Sequence, residues 1–159
     1  MQMKNIKREV LIFLEQDDFE KNLKDIHRFP PMKVVNALLS FLVNTNEIIK
    51  KHAVISMGEV VSKLAETDIE SARIIMRRLM LSLTEESGGI GWGSPEAMGE
   101  IMARSEKLAV EYHKILISYS EGGGNFLDFE ELQKGVISGL KRLAEVHPHL
   151  VKDVNQLLK

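Results

Sequence analysis

Apolar residues recur at the spacing of a helix face along most of this chain. Positions i, i+3, i+4 and i+7 are apolar in successive stretches, which places one side of each predicted helix on a core. No stretch alternates apolar and polar residues at a period of two, so we expect no sheet. With its Gly, Pro and capping signals, the pattern predicts about eight helices, near residues 4–15, 17–27, 32–43, 46–65, 69–84, 95–119, 128–146 and 148–158.

Two short motifs recur along the chain at related intervals. The sequence MGEV at Met57–Val60 returns as MGEI at Met98–Ile101, 41 residues later. The sequence VIS at Val54–Ser56 returns at Val136–Ser138, 82 residues later, which is twice the same interval. Helix pairs that repeat about every 40–47 residues stack on one another, because a single pair cannot bury its apolar face alone. The interval therefore predicts an array of stacked helix pairs.

On these motifs, and chiefly on the block KKHAVISMGEVVSKLAE, the chain resembles the HEAT-repeat and armadillo-like helical family, including short HEAT-like repeats of the phycobilisome-lyase type. The resemblance covers roughly residues 32–146. It implies an all-α fold, a short right-handed α-solenoid of stacked helix pairs. It also implies a single domain over residues 1–159, with capping helices in 1–31, repeats in 32–146 and a C-terminal capping helix in 147–159. Gly58 and Gly99 occupy the same motif position, where a missing side chain would let a neighbouring helix approach closely.

Composition removes several classes of function. The chain has 159 residues, no cysteine and a net charge of −2. Disulfides, thiolate metal sites and cysteine nucleophiles are therefore excluded, and the charge argues against a protein that coats nucleic acid or anionic membrane. The apolar run VLIFL at Val10–Leu14 is too short for a membrane span or a signal-peptide core. We expect a cytoplasmic protein.

The most distinctive segment is EESGGIGWGSPEAMGE, residues 85–100, which contains the only tryptophan of the chain. Three interpretations of its loop are open. The glycines could supply turns with positive φ while Trp92 fills a gap between repeats. Trp92 could instead anchor a partner, since tryptophan is enriched at interface hot spots. Free N–H groups at the following helix N-terminus could also bind a phosphate. The candidate binding residues are Glu85, Glu86, Gly88, Gly89, Trp92, Glu96 and Glu100.

The glutamates of this segment are a second candidate feature. Glu85 and Glu86 lie at a predicted helix C-terminus, where carboxylates oppose the helix dipole. Loop N–H groups, a cation or an arginine of a partner could offset them, and we favour the loop N–H groups. Glu96 and Glu100 share one side of a helix and could hold a metal or act as an acid/base pair. Arg104 continues the row, which favours a solvated charged face with both glutamates on the rim.

These features favour a non-catalytic protein-interaction or scaffold module of the HEAT-repeat type, with the Gly/Trp/Glu loop at 85–100 as the contact site. The predicted second helices, which carry Lys50, Lys51, Glu59, Glu96 and Glu100, would form the concave face that solenoids use for partners. The alternative is a small-molecule-binding or enzymatic protein, lyase-like or hydrolase-like, that uses glutamates beside the same loop. No catalytic, metal or cofactor residue can be assigned from spacing. We expect another protein as partner, no membrane and no nucleic acid, and homo-oligomer formation stays open.

Overall fold

The structure is a computed structural model of the chain, and it describes residues 3–84, 91–123 and 125–159. These residues are helical without any strand, which confirms the predicted all-α class. Their α-helices are α1 (Met3–Leu14), α2 (Pro31–Phe41), α3 (Glu47–Thr67), α4 (Ile69–Leu81), α5 (Ser94–Arg104), α6 (Glu106–Ser118) and α7 (Glu130–Val146). Short 3-10 helices cover Leu23–Arg28, Pro148–Leu150 and Lys152–Leu158.

Helices α3, α5 and α7 form one layer with α5 in the middle, since α5 packs most extensively against these two. Lys50 of α3 meets Glu96 of α5, and two turns later Gly58 of α3 meets Glu100 of α5. The contacts ascend in the same direction on both helices, so α3 and α5 run parallel. The motifs MGEV and MGEI therefore lie on neighbouring parallel helices.

Helix α7 lies parallel to α5 on the other side, and glycines bring the two backbones together. Glu96 lies against Gly135, and Gly99 lies against Gly139 further along both helices. A Cβ atom placed on Gly99 would lie 2.5 Å from the Cα atom of Gly139. The predicted close approach is confirmed at Gly99. At Gly58 the space is filled by the side chains of α5 and not by its backbone.

Helices α2, α4 and α6 are linked to one another by polar contacts. Arg78 of α4 donates to the side-chain oxygen of Asn36 on α2 at 2.8 Å, across 42 residues of sequence. Arg73 of α4 donates to both carboxylate oxygens of Glu111 on α6, at 2.8 and 3.0 Å, across 38 residues. These separations lie close to the repeat interval of the motifs. Parallel layers of alternate helices occur in several helical architectures, so the right-handed solenoid stays a prediction.

The predicted helix over residues 95–119 is wrong, because it is two helices that meet at Ser105. Ser105 has an extended backbone (φ −131°, ψ 104°), and its hydroxyl accepts a hydrogen bond from the N–H of Leu108. This contact caps α6 in the usual way for serine. The polar run from Arg104 to Lys107 interrupts the apolar stripe at the same place, so no buried face holds the helix straight through it.

The predicted helices at 17–27 and 148–158 also differ from the structure. Residues 17–22 form turns before the 3-10 helix Leu23–Arg28, and the C-terminal segment forms two 3-10 helices. In each segment few side chains are fully buried, namely Phe19 and Ile26 in the first and Val151 and Val154 in the second. Tertiary packing therefore supports single turns there and not a continuous α-helix. The division into capping and repeat segments stays a prediction.

The described helices include none that is both long enough and apolar enough to cross a membrane. The apolar stripes of α1 to α7 instead meet in one buried cluster, which extends from Ile6 to Val154. This cluster lies under the layer α3–α5–α7 and fixes the positions of the charged side chains that these helices carry on their other side.

Candidate functional site

The glycine-rich loop is described from Gly91 onward, and its end is a tight turn. Gly91 and Gly93 have φ values of 71° and 81°, which are left-handed and which glycine adopts without strain. The Ser94 and Ser82 hydroxyls lie 2.7 Å apart and connect the start of α5 to the end of α4. The prediction that glycines supply positive-φ turns is confirmed at these two positions. Glu85, Glu86, Gly88 and Gly89 lie outside the described residues, so the roles proposed for them stay predictions.

Trp92 is half-buried in this turn. Its indole N–H is shielded from solvent and has no hydrogen-bond partner within residues 3–84, 91–123 and 125–159. Buried tryptophan N–H groups usually have a partner. Its exposure is intermediate between that of a core plug and that of an exposed anchor, and both interpretations stay open.

Glu100 is buried in an ion-pair network, and its predicted place on the rim is wrong. Its side chain is 8% exposed. Arg104 Nε donates to Glu100 Oε2 at 2.7 Å, and Arg142 Nε of α7 lies 3.1 and 3.2 Å from the two carboxylate oxygens. Gly58 of α3 makes the room, since a Cβ atom there would lie 2.5 Å from Glu100 Cγ. The hydrogen bond to Glu100 raises the pKa of Arg142 even though burial acts in the opposite direction.

Glu59 occupies the equivalent position in the first motif and has an equivalent environment. Its side chain is 7% exposed, and its oxygens lie 3.1 Å from Lys24 Nζ, 3.2 Å from His27 Nε2 and 3.7 Å from Arg104 Nη1. Burial by itself raises the pKa of Glu59, but the hydrogen bonds and charges of Lys24 and His27 outweigh it and lower the pKa overall. Each motif glutamate therefore pairs with an arginine on the next helix of the layer.

Sequence reasoning placed Glu59 on the concave face but missed its pairing. The signal was present in the repeated motif, because a glutamate follows the glycine in both MGEV and MGEI. A repeated charge beside a repeated glycine is typical of a position with a fixed contact. The pair of Glu100 and Arg104 has the i,i+4 spacing of neighbours on a helix. The pairs Glu59–Arg104 and Glu100–Arg142 join different helices and could not be found from spacing.

Glu96 completes the row of carboxylates along α5 and α3. Its Oε2 atom lies 3.3 Å from Lys50 Nζ of α3, and its side chain is 19% exposed. The absence of a side chain at Gly135 of α7 makes room for its carboxylate. Glu96 and Glu100 do share one side of α5, as predicted. Both are held by basic side chains: both oxygens of Glu100 lie against guanidinium groups, and Oε2 of Glu96 is paired with Lys50.

Above these paired charges lies an open groove with a volume of about 1040 Å³. Its walls are α3 and α7, and its floor is the part of α5 that carries Glu96 and Glu100. The apolar side chains that line it are Ile48, Val54, Ile55 and Ile137. Trp92 is not among its lining residues. The groove therefore contains two of the predicted binding residues, together with wall residues of α7 that the sequence did not single out.

In the part of the chain that is described, no cluster of three His, Asp or Glu side chains is arranged to hold a metal ion. The site thus consists of a neutralised, charged floor and two amphipathic walls. Such a surface can bind an extended or helical segment through apolar contacts in the middle and charged contacts at the edges.

Comparisons with protein families, with curated proteins and with solved structures found no match to this chain. The HEAT-repeat resemblance therefore rests on the repeated motifs, and membership of that family stays a prediction.

Proposed function

We propose that the protein is a non-catalytic interaction module that binds a segment of a partner protein in the groove between α3 and α7. The observation that carries the proposal is that the groove has two different surfaces, a floor of paired charges and walls with exposed apolar side chains. The floor glutamates are neutralised by Lys50, Arg104 and Arg142, while apolar side chains remain open to solvent on the walls. Ile48 is 63% exposed there. An exposed apolar surface framed by charged residues is typical of a docking site.

The pairing of the carboxylates favours binding over catalysis. The enzymatic alternative needs a glutamate that can reach a substrate or exchange a proton with it. Both oxygens of Glu100 face guanidinium groups, and Glu96 is paired with Lys50. Releasing either carboxylate would leave a poorly solvated charge without its partner, which is costly. These side chains are better suited to holding three helices in register.

A short helical solenoid is part of this proposal. Support comes from the parallel order of α3, α5 and α7 and from the contacts between layer neighbours, which span 42 residues for Glu100 and Arg142 and 38 for Arg73 and Glu111. Solenoids present such a ridge of helices as a continuous binding surface. The proposal also keeps the cytoplasmic location that the sequence predicts.

The experiment is a selection of random displayed peptides on the full chain, followed by affinity measurement of enriched peptides by fluorescence anisotropy. We expect Ile48→Lys and Ile137→Lys to weaken binding by about tenfold or more, because each places a charge on an apolar wall. The matched control is Val110→Lys on α6, since Val110 is 58% exposed and lies outside the groove.

Circular dichroism melting identifies which variants remain folded. If folded Ile48→Lys and Ile137→Lys bind the peptides as tightly as Val110→Lys does, the groove is not the binding site. If the unmodified chain enriches no peptide, the interaction module itself is refuted.

A further inference from the structure

The charges of the groove walls indicate which chemistry its occupant carries. Lys51 of α3 and Lys141 of α7 are exposed and line the groove. Neither forms an ion pair with any residue that the structure describes. The other basic residues of the groove are engaged, Lys50 with Glu96, Arg142 with Glu100, and Lys134 with carboxylates of its own helix. Lys51 and Lys141 are therefore the uncompensated cations of the walls.

The ion pairs on the floor fix the relative height of the two lysines. Lys50 contacts Glu96, and Glu96 lies against Gly135, so Lys51 is about level with Gly135. Lys141 lies six residues further along α7, which is about 9 Å at the helical rise per residue. The two ammonium groups thus flank the middle of the groove on opposite walls.

Above the paired charges of the floor, both walls carry apolar side chains between the heights of the two lysines. Val54 and Ile55 follow Lys51 by about one turn on α3, and Ile137 precedes Lys141 by one turn on α7. The acidic lining residues of the walls lie outside this stretch. Glu47 and Glu130 lie in the first turns of α3 and α7, at one end of the groove, and Glu145 is held by Arg142. Along the walls the order is acidic, cationic, apolar, cationic and, at Glu145, acidic again.

We propose that the occupant is a segment of a partner protein in which two carboxylates flank apolar side chains. One carboxylate pairs with Lys51, the other pairs with Lys141, and the apolar side chains lie on Val54, Ile55 and Ile137. Along the groove axis the two carboxylates are offset by about 9 Å, which is the axial length of about six residues in a helix or three in an extended strand. This inference rests on the proposed function and adds the chemistry of the partner to it.

The test uses peptides enriched on the full chain from a random displayed library, synthesised with a fluorophore. We expect them to carry Asp or Glu on both sides of an apolar cluster. The double variant Lys51→Glu/Lys141→Glu should bind them about tenfold more weakly or worse, and the difference should shrink at high salt. Peptides with both acidic residues changed to Lys should regain affinity for that double variant. Lys114→Glu, the same charge change at an exposed position on α6, should have no effect.

The outcomes separate this inference from the proposed function. The charge assignment is overturned if the peptides bind the double variant as tightly as the control Lys114→Glu. If the same peptides lose affinity for Ile48→Lys, the interaction groove itself is still supported. Enriched peptides that lack paired acidic residues would also overturn the charge assignment. A library that yields no binder on the unmodified chain overturns both. Loss of affinity in the double variant with recovery by the charge-swapped peptides supports the assignment, because unfolding could not be rescued in that way.

Discussion

At the scale of single residues, the unusual feature is the presence of carboxylates under a helical surface. Glu59 and Glu100 are both buried. Removing a carboxylate from water costs several kcal/mol unless ion pairs and hydrogen bonds replace the lost hydration. Arg104 contacts both glutamates and therefore connects α3 to α5, while Arg142 connects α5 to α7. The ion pairs thus join the three helices of the layer.

The first residue-scale prediction concerns Glu100→Gln. The substitution leaves the two guanidinium groups facing a neutral amide, so we expect it to destabilise the protein by about 1–3 kcal/mol. Urea denaturation measures the change. Glu131→Gln is the control, because Glu131 is 60% exposed and pairs with Lys134 on the surface, where the loss should stay within about 1 kcal/mol. Equal effects of the two substitutions would show that the buried network does not contribute to stability.

The second residue-scale prediction concerns the pH dependence of stability. The pKa of Glu59 is lowered in the fold relative to its ordinary value of 4.5. Glu59 therefore contributes stability that is fully present above pH 4.5 and is lost as the pH falls through its lowered, folded-state pKa. We expect Glu59→Gln to reduce the loss of unfolding free energy between about pH 7 and about pH 3.

The matched control for the pH experiment is Glu66→Gln on the same helix, since Glu66 is 65% exposed. Urea titrations at the two pH values should give the same acid-dependent loss for Glu66→Gln as for the unmodified chain. A Glu59→Gln variant with an unchanged acid-dependent loss would exclude the proposed linkage.

At the scale of elements, glycines inside helices determine which helices touch. Glycine in a helix interior costs about 1 kcal/mol relative to alanine, so its occurrence at Gly99 and Gly139 needs a compensating contact. The contact is the close crossing of α5 and α7, where a Cβ on Gly139 would lie 2.5 Å from the carbonyl oxygen of Pro95. Closer packing of the two helices offsets the propensity cost.

The element-scale prediction is that Gly99→Ala destabilises the protein although alanine favours helices. The added Cβ would overlap the backbone of Gly139, which cannot move without separating α5 from α7. We expect a loss of roughly 1–3 kcal/mol by urea denaturation. Gly122→Ala should be nearly neutral, because no described atom lies within 4 Å of the position of its Cβ. A stabilising Gly99→Ala would mean that propensity outweighs packing at this crossing.

At the scale of the whole molecule, the groove is a product of the parallel layer. α5 contacts both α3 and α7, and its two glutamates are drawn towards Gly58 and Gly135 of those neighbours. The paired charges of α5 therefore form the floor of the groove, and the lining residues of α3 and α7 form a wall on each side of it. The peptide-binding experiments test this surface as a unit, since its two walls lie far apart in the sequence.

The periodicity of apolar residues determined the all-helical class and the positions of most helices, because apolar residues spaced by three or four positions lie on one face of a helix. The repeated motif predicted a close approach at both Gly58 and Gly99, but Gly58 faces side chains of α5 while Gly99 faces the backbone of α7. The break at Ser105 was visible only as a short polar run. A serine inside a helical pattern caps a new helix only when the packing on both sides favours a change of direction.

Burial and pairing of the charged residues were decided by the tertiary structure. The spacing of Glu96 and Glu100 fixed the side of α5 on which they lie, but not which helix would cover that side. Which helix covers that side depends on contacts between residues far apart in the sequence, such as Glu100 and Arg142, which are 42 residues apart. The sequence alone therefore determined the kind of fold and the repeated positions within it. The tertiary structure decided that Glu59 and Glu100 form buried ion pairs between helices and that the groove above them is the open surface. Both features depend on side chains that come together from different helices.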